Sequence, residues 1–447
     1  MAQKPVLVKG TRDFLPEQTR KRKYIFKVIE DCFKAFGYQP IETPAMESLS
    51  TLMGKYGEEG DKLLFKVLNS GDYLKSVPDE EWDNKDSSKL TNHISEKGLR
   101  YDLTVPLARA VVMNRHLIHF PFKRYQIQPV WRADRPQRGR YREFYQCDAD
   151  VVGSDSLMYE AELIMIYLEV FKNLGIPVKV TYNHRAILEG MAIYAGREDL
   201  FVGMTVVLDK LDKIGADAVI QELVDLGFEK QKAIELLELN KEKDLGKFEL
   251  NEKATLGTKA LNNILNYLEK LEFDRSSLSF EPNLARGLSY YTGTIFEVIP
   301  TSIQMGSLGG GGRYDNLTGV FGMPGVSGVG ISFGADRIYD VMEELSLFPA
   351  NLNNSIEVLL MALDEPSHLF AFQLASKLRL ENISVELYPE FGKLKKQFKY
   401  AEDIKAVNTL VIGEEEALTG QFKLKNQATA VESILDLEGL IRHIKAK

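Results

Sequence analysis

The sequence predicts a mixed α/β (α+β) fold: an antiparallel sheet core with flanking helices, a helical insertion and a C-terminal α/β domain. Three patterns indicate this. Polar and apolar residues alternate on both sides of a charged loop between Phe122 and Gly153, as in a long antiparallel hairpin. Residues 186–278 carry leucine and isoleucine at helical spacing, and residues 355–447 alternate between strand-like and helix-like segments.

These patterns also predict domain boundaries. The sheet core is expected at residues 1–185 and 279–347, and the helical insertion at 186–278. A linker is expected at 348–354, before the last domain at 355–447. The ordinary interpretation of the insertion is a structural cap.

Composition narrows the functional classes. No apolar run approaches the ~18 residues of a membrane span, and the N-terminus lacks the apolar core of a secretory signal. Two distant cysteines, Cys32 and Cys147, fit neither a disulfide framework nor a zinc pattern, so a reducing cytoplasm is expected. The net charge of -8 means that any contact with nucleic acid would use local basic patches.

Before the hairpin, apolar spacing predicts a helix from Glu17 to Gly37, followed by a short strand into Pro44. Residues 63–68 are expected to form another strand. The polar residues 69–98 are expected to form a mobile insertion or a long hairpin, without chemistry.

Asp102 and Thr104 are expected on one face of a strand that ends where Pro106 opens an apolar helix. A simple N-terminal cap at Thr104 is the competing interpretation.

The hairpin concentrates arginine around its turn, at Arg132, Arg135, Arg138, Arg140 and Arg142. A solvated tip is the ordinary explanation for such a run. However, the polar face continues into the strands through Arg132, Gln146 and Asp150, and the opposite face is apolar. A buried face of this kind predicts an anionic ligand that accepts and donates hydrogen bonds.

After the hairpin we expect a helix at 159–174, a strand at 178–183 and a strand at 295–299. The glycines 309–312 do not form a dinucleotide-binding GxGxxG, and indicate either close backbone approach to a ligand or a tight hairpin. A strand and helix follow at 325–345, with Arg337 in the first helical turn. A cation at a helix start interacts unfavourably with the helix dipole, so this position predicts an anion bound beside Arg337. An ordinary surface arginine at a helix start is the alternative interpretation.

In the last domain, alternating strands and helices predict a mainly parallel sheet, with a final helix at 433–447. One helix carries a basic patch of Lys393, Lys395, Lys396 and Lys399. A solvated helix face is the ordinary explanation, and a contact with RNA phosphates is the functional one.

Several segments together resemble a known family. VWRADRPQRGRYREFYQCDADVVG resembles motif 2 of the class II aminoacyl-tRNA synthetases, in the form found in histidyl-tRNA synthetases. GYQPIETPAMES resembles motif 1, GADR resembles motif 3, and ARGLSYYTG and SLGGGGRYDNLTG resemble two signatures of the histidine-specific members. One departure is Ser289, where the family usually has Asp. Asp150 replaces the Glu of many bacterial members, as in the eukaryote-like branch.

The resemblance implies an enzyme that activates histidine with ATP and transfers it to the 3′ end of its tRNA. It also implies that the helical insertion can embrace the acceptor arm of the tRNA. It implies Mg²⁺ accompanying ATP, no metal site made by protein alone, and a homodimer formed through the motif 1 region. The catalytic residues would be Arg132, Arg286 and Arg337. The residues binding histidine would be Asp102, Leu103, Thr104, Arg132, Gln146, Asp150, Arg286, Tyr290 and Tyr291. ATP would bind Arg132, Arg140, Glu143 and Arg337, and tRNA would bind the four lysines of the last domain.

Two other functions compete with this interpretation. Some proteins with the same core are non-catalytic regulatory subunits of ATP phosphoribosyltransferase, but they typically lose substrate residues and the C-terminal domain, both of which this chain retains. A ligase that activates histidine without RNA is disfavoured by the same C-terminal domain.

Overall fold

The computed structural model describes residues 4–55, 57–84, 86–271, 275–285, 291–353 and 356–446. The chain divides into two compact units. The first comprises Met1–Phe14 and Lys21–Leu347, and the second comprises Leu15–Arg20 and Phe348–Lys447. Among the described residues, none forms a helix that is both long and apolar enough to cross a membrane.

The helices are α1 (Pro16–Ala35), α2 (Leu49–Leu52), α3 (Gly57–Lys62), α4 (Asp79–Asn84), α5 (Ser87–Ile94), α6 (Thr104–Met113), α7 (Met158–Leu174), α8 (Arg185–Tyr194), α9 (Phe201–Leu208), α10 (Leu211–Ile214), α11 (Ala216–Leu226), α12 (Lys230–Leu239), α13 (Glu252–Leu268), α14 (Ala335–Glu344), α15 (Glu365–Leu380), α16 (Leu394–Asp403), α17 (Glu414–Thr419) and α18 (Leu437–Lys445). The strands are β1 (Gln39–Pro40), β2 (Met46–Ser48), β3 (Lys66–Val67), β4 (Lys97–Leu99), β5 (Phe122–Trp131), β6 (Glu143–Val152), β7 (Val178–His184), β8 (Leu278–Phe280), β9 (Thr294–Pro300), β10 (Gly309–Tyr314), β11 (Gly328–Gly334), β12 (Val358–Ala362), β13 (Val385–Leu387), β14 (Asn408–Ile412), β15 (Phe422–Asn426) and β16 (Glu432–Leu435).

An eight-stranded sheet in the order β1-β5-β6-β11-β10-β9-β7-β8 organises the first unit. The pairs β1–β5 and β7–β8 are parallel, and the others are antiparallel. The long hairpin is confirmed as β5–β6, with Arg124 opposite Asp150 and Gln128 opposite Gln146. A separate three-stranded sheet has the order β2-β4-β3.

Aromatic side chains pack α1 and α7 against the large sheet. Phe33 of α1 lies 5.6 Å from Tyr125 and 5.9 Å from Phe333, measured between ring centroids. Tyr167 of α7 lies 4.8 Å from Phe333. The predicted helix α1 is confirmed, and Gly37 follows it with a φ of 81°, a left-handed conformation that glycine adopts without strain.

Residues 69–98 contain two helices, α4 and α5, within the connection between the paired strands β3 and β4. A long hairpin connection, one of the two interpretations, is therefore present and carries helices, whereas mobility of this segment stays a prediction. The side chain of Asp86 accepts hydrogen bonds from the backbone N–H groups of Ser88 and Lys89, which caps α5. The predicted strand at 63–68 shortens to Lys66–Val67.

The helices between Arg185 and Leu268 belong to the same compact unit as the eight-stranded sheet. Helices α8 and α13 approach closely, because a Cβ atom on Gly190 would lie 2.5 Å from Cβ of Ala254. The boundaries of an insertion at 186–278 stay a prediction.

The four glycines 309–312 lie in β10, between β9 and β11, so the tight hairpin proposed as one interpretation is wrong. A Cβ atom on Gly311 would lie 2.2 Å from the carbonyl oxygen of Gly330. Close packing of strand backbones therefore requires glycine at this position.

The second unit contains a five-stranded sheet in the order β13-β12-β14-β15-β16. The strands β13, β12 and β14 are parallel, whereas β15 and β16 are antiparallel, so the expectation of a mainly parallel sheet is only half right. Residues 433–435, expected in the last helix, belong to β16. The helix α18 begins after Asp436, whose side chain accepts a hydrogen bond from the Gly439 N–H at 2.8 Å.

Both cysteines are free and buried. Burial raises the pKa of the Cys32 thiol to about 12, and burial also raises the pKa of the Cys147 thiol well above its ordinary value.

Candidate active site

Two adjoining cavities lie over β6, β10 and β11 in the first unit. The first has a volume of about 340 Å³ and the second about 450 Å³. Both volumes suit small-molecule ligands. Seven residues line both cavities: Arg132, Asp134, Arg140, Gln146, Tyr291, Gly310 and Ser332.

Arg132 lies at the wall that the cavities share, just beyond the end of β5. Its Nε donates to the Tyr101 carbonyl oxygen at 3.0 Å, and its Nη2 donates to Oε1 of Gln146 at 3.3 Å. Gln146 in turn donates to the Ser332 hydroxyl at 2.7 Å. The guanidinium carbon also lies 4.3 Å from the ring centroid of Tyr101. These contacts hold a permanent positive charge where the two cavities meet.

Arg337 closes the first cavity from the first turn of α14. Its Nε donates to the Gly139 carbonyl oxygen at 2.8 Å, and its Nη1 donates to the Ser307 carbonyl oxygen at 2.7 Å. The helix therefore fixes the turn of the hairpin against the segment that leads into β10. Arg140 also lines this cavity, with its Nη1 3.8 Å from Oδ1 of Asp134.

Asp336 also lines the first cavity, and two arginines balance its negative charge. Its carboxylate forms ion pairs with Arg12 and Arg22, and its Oδ2 accepts a hydrogen bond from the Tyr145 N–H at 3.0 Å. Because Asp336 is already paired, it is not expected to cancel the positive charge of Arg132 and Arg337, which line the same cavity.

Asp102 and Thr104 line the second cavity. They lie at the start of α6 rather than on a strand, which corrects the sequence interpretation. The cause is local: Oδ1 of Asp102 accepts a hydrogen bond from the Val105 N–H at 3.2 Å, so the helix begins earlier than Pro106 suggests. Leu103 does not line this cavity. Its side chain is fully buried, and its carbonyl oxygen accepts from Nη2 of Arg124 at 3.4 Å.

Two buried carboxylates of β6, Asp148 and Asp150, form the floor of the second cavity. Asp150 accepts a hydrogen bond from the Tyr314 hydroxyl at 2.7 Å, and its Oδ2 lies 2.6 Å from Nη2 of Arg124. Burial raises the pKa of Asp150, against the opposing effects of Arg124 and Tyr314. Burial also raises the pKa of Asp148 to about 7, again opposed by Arg124.

The structure brings together most, but not all, of the sequence-predicted site residues. Glu143 lies away from both cavities, exposed, where its Oε2 accepts from Trp131 Nε1 at 2.7 Å. Arg286 and Tyr290, together with the departure at Ser289, lie outside the described residues. The four lysines are exposed on and beside α16 in the second unit.

Sequence reasoning missed three residues that line the second cavity, Asp148, Tyr314 and Ser332, and also Arg124, which pairs with Asp150 behind the lining. The signal was partly present, because Arg124 and Asp148 share the parity of Arg132 and Asp150 on the polar face of the hairpin. Nothing local in the sequence links Tyr314 to Asp150, since that contact arises from the strand order.

The described residues contain no group of three or more Asp, Glu, His or Cys side chains placed to hold a metal ion. Magnesium commonly binds through substrate phosphates and one or two carboxylates. Glu297 and Asp134 line the first cavity and are carboxylates of that kind.

Comparison with protein families gives matches along nearly the whole chain. The family model for histidyl-tRNA synthetase matches residues 10–79 and 72–338, and the model for an anticodon binding domain matches residues 357–447. The chain belongs to the histidyl-tRNA synthetase family.

Curated relatives carry the same description over their full lengths. A histidine–tRNA ligase of Christiangramia forsetii is 50% identical and is covered completely, as is this chain. One from Cytophaga hutchinsonii is 52% identical, with 95% of this chain and 96% of the relative covered.

Solved structures agree with the fold of the family. The crystal structure of histidyl-tRNA synthetase from a Nostoc species matches with a TM-score of 0.83 at 26% identity, covering both chains completely. A Bacillus halodurans protein described as an ATP phosphoribosyltransferase regulatory subunit/histidyl-tRNA synthetase matches with a TM-score of 0.71 at 22% identity. It covers 89% of this chain and 97% of its own, and at that identity it shows the fold alone. The regulatory alternative is therefore less supported than the synthetase interpretation, which full-length ligases of higher identity favour.

Proposed function

We propose that this chain carries out the histidine–tRNA ligase reaction in the two joined cavities of its first unit. The ligase activity follows from membership of the family, and the assignment of residues is our own. The observation that carries this assignment is the position of Arg132 on the wall that both cavities share. A reaction between two bound substrates needs such a meeting point.

The first cavity is proposed to hold ATP. Arg337 and Arg140 line it, and the guanidinium group suits phosphate because it stays charged and donates two parallel hydrogen bonds. Magnesium bound to the ATP phosphates would neutralise part of their charge. Glu297 and Asp134 are the carboxylates that would hold it there. Glu143, predicted from the sequence to bind ATP, is left out of this proposal because it lies away from the cavity.

The second cavity is proposed to hold histidine. Asp150 would accept a hydrogen bond from one ring N–H, and Tyr291 would donate to the other ring nitrogen. Asp102, Thr104 and Gln146 would orient the amino group. The two residues outside the described part of the chain, Arg286 and Tyr290, keep their sequence-based roles as predictions.

In the first step the histidine carboxylate attacks the α-phosphorus of ATP, and pyrophosphate leaves. Negative charge builds on the oxygens around the reacting phosphorus, and Arg132 is placed to stabilise it. Arg286 would add a second positive charge. In the second step the 3′-terminal adenosine of the tRNA attacks the carbonyl carbon of the adenylate, and AMP leaves.

The tRNA and a second subunit are the proposed partners. Lys393, Lys395 and Lys399 present positive charge on an exposed helix face of the unit that matches the anticodon-binding family. A homodimer would form through the motif 1 region, residues 37–48, a proposal that rests on the resemblance to motif 1. A cytoplasmic location is proposed with these partners. Light scattering on the purified protein tests the dimer, and a monomeric mass would contradict it.

The decisive experiment compares two arginines of the same hairpin. Arg132→Ala should reduce histidine-dependent exchange of pyrophosphate into ATP by roughly 10³-fold, because one charge at the reacting phosphate is lost. Arg138 is exposed and pairs with Glu344, away from both cavities, so Arg138→Ala is the matched control and should keep near-normal exchange. Equal loss in both variants would reject the assignment of Arg132.

A wild-type protein that neither exchanges pyrophosphate nor charges tRNA with labelled histidine would reject the ligase function itself. Exchange without charging would favour a ligase that activates histidine without RNA.

A further inference from the structure

One carboxylate in the second cavity has no role in the proposal above. Asp148 is 2% exposed, lines the second cavity, and its Oδ1 has no hydrogen-bond partner among the described residues. A buried carboxylate oxygen without a partner is costly, so an empty cavity leaves an interaction for a ligand to complete.

The positive charge near Asp148 already interacts with other side chains. Arg124 is the guanidinium closest to the aspartate pair, and its Nη2 lies 2.6 Å from Oδ2 of Asp150 while its Nη1 donates to Gln126 at 3.3 Å. Ser332 lies opposite Asp148 across β6 and β11, and its hydroxyl lowers the pKa of Asp148 but brings no charge. Asp150 and Asp102 add negative charge nearby. The remaining titratable residues lining the cavity are Tyr101, Arg132, Asp134, Arg140, Tyr291 and Tyr314.

The position of Asp148 along β6 indicates which part of histidine it would meet. Gln146, Asp148 and Asp150 occupy alternate positions of the strand and line the same cavity, with backbones roughly 7 Å apart. Gln146 contacts Arg132 at the end where the carboxylate reacts, and Asp150 lies at the end assigned to the ring. The group between a carboxylate and a side-chain ring in an amino acid is the α-carbon with its ammonium.

We propose that Asp148 is a further substrate-binding residue, whose carboxylate binds the α-ammonium group of histidine opposite Asp102. This inference rests on the proposed function and deepens it. A primary ammonium has three N–H donors and no acceptor, so a second carboxylate can accept one that Asp102 leaves free. The cavity would then select ligands by their ammonium group as well as by their ring.

The test compares two histidine analogues in the full-length protein. Histidinol retains the ammonium and the ring, whereas imidazolepropionate retains the ring and carboxylate but lacks the ammonium. Asp148→Asn should raise the histidine KM and the histidinol inhibition constant roughly 10- to 100-fold, the effect of losing one buried charge-assisted hydrogen bond. The inhibition constant of imidazolepropionate and the ATP KM should change less than about threefold on the same grounds.

The pH dependence separates a charge effect from a structural one. Only the ionised carboxylate binds ammonium strongly, and the pKa of Asp148 is about 7. The ratio of histidine KM in Asp148→Asn to that in the wild type should therefore increase as pH rises from 6 to 8.5. Titration of the free substrate affects both proteins equally and cancels in this ratio.

A measurement on the unmodified protein gives an independent check. Calorimetry in two buffers at pH 7 should show that histidinol binding releases about half a proton more than imidazolepropionate binding, because the ammonium ionises Asp148. Glu162→Gln is the matched control, since Glu162 pairs with Lys123 at 2.7 Å and lies away from both cavities. It should leave all these constants unchanged.

Equal weakening of both analogues in Asp148→Asn, or equal proton release, would overturn the assignment to the ammonium. An unchanged histidine KM would remove Asp148 from the binding site altogether. Either result, with normal wild-type exchange, leaves the ligase function standing. Absence of exchange in the wild type would instead reject the function on which this inference depends.

Discussion

Asp148 of β6 is proposed to strengthen substrate binding, but its ionised carboxylate is expected to lower the stability of the fold. Asp148 is buried beside Asp150, and burial raises its pKa from 3.8 to about 7. Between these pH values the folded protein therefore holds a proton that the unfolded chain releases. The free energy of unfolding falls as pH rises across this interval, because loss of the proton stabilises the unfolded chain and not the folded state.

We expect Asp148→Asn to be more stable than the wild type at pH 8, by on the order of 2–4 kcal/mol, since the amide is neutral at every pH. The difference should shrink towards pH 4, where the aspartate is protonated. Urea unfolding at the two pH values measures this. A variant less stable than the wild type at pH 8 would show that Asp148 is held in its ionised form by the protein itself.

Asp150 is proposed to bind the ring of histidine. Asp150→Ala should raise the histidine requirement of pyrophosphate exchange at least roughly tenfold, while the ATP requirement changes little, because Asp150 lines only the second cavity. Tyr314→Phe is a useful comparison, since it removes one hydrogen bond to Asp150 and retains the carboxylate. An equal rise in both requirements for Asp150→Ala would contradict a role in reading the ring.

Residue types at the site could be predicted wherever a motif carried them. Arg132, Gln146 and Asp150 were predicted and lie together, as the strand period requires. Glu143 belongs to the same hairpin, but it lies an odd number of residues from Gln146 along β6, so strand alternation places it on the opposite face, where it contacts Trp131. Tyr314 could not be predicted, since it meets Asp150 only after β11 inserts between β6 and β10.

At the scale of single elements, the glycines of β10 matter because they lack a Cβ atom. Gly311 faces the packed side of the strand, where an added Cβ would overlap the Gly330 carbonyl oxygen. Gly310 lines both cavities, and an added Cβ there would meet only the Phe296 carbonyl oxygen, at 3.3 Å. Neighbouring glycines in the same strand thus differ in role: Gly311 also lines the first cavity but is required for packing, whereas Gly310 keeps ligand space open.

Alanine substitutions should separate these two roles. Gly311→Ala should lower the thermal midpoint strongly, because backbone atoms cannot move aside cheaply, with a cost of about 1–3 kcal/mol or more. Gly310→Ala should fold almost normally but impair pyrophosphate exchange, because its methyl group occupies the cavity. Thermal unfolding and exchange kinetics on both variants check this, and impaired folding in Gly310→Ala would contradict it.

Element boundaries were predicted well where apolar periodicity was strong, as in α1, α7 and the β5–β6 hairpin. They failed where side-chain hydrogen bonds to the backbone decide the outcome. Asp102 starts α6 and Asp436 starts α18, and each shifts the boundary away from the apolar pattern.

At the scale of the whole molecule, an acidic protein must bind an acidic polymer. The net charge is -8, so tRNA affinity is expected to depend on a few local cations rather than on the general field. Four exposed lysines on and beside α16 supply such a patch, although Lys396 is 2.7 Å from Glu390.

Replacing Lys393, Lys395 and Lys399 with alanine should raise the tRNA KM roughly tenfold and make it less dependent on salt, since fewer phosphate counterions are released. Histidine-dependent pyrophosphate exchange should stay normal, which serves as the internal control because that reaction uses no tRNA. An unchanged salt dependence would indicate that tRNA binds elsewhere.

Strand order was the part of the fold that sequence patterns alone could not give. Alternation predicts that a strand exists and which face is buried, but the insertion of β11 between β6 and β10 depends on contacts between distant segments. The same limit explains the second unit, where the antiparallel strands β15 and β16 were not distinguished from a parallel arrangement.

The two native thiols offer an experimental opportunity. Cys32 and Cys147 are the only cysteines of the chain, both are buried, and burial keeps both protonated at neutral pH. Maleimide dyes react with exposed thiolates, so the natural sequence should stay unlabelled while it is folded. A single cysteine introduced on the exposed face of α16 would then carry a fluorophore at one known position, and tRNA docking could be followed in real time without first removing any native residue.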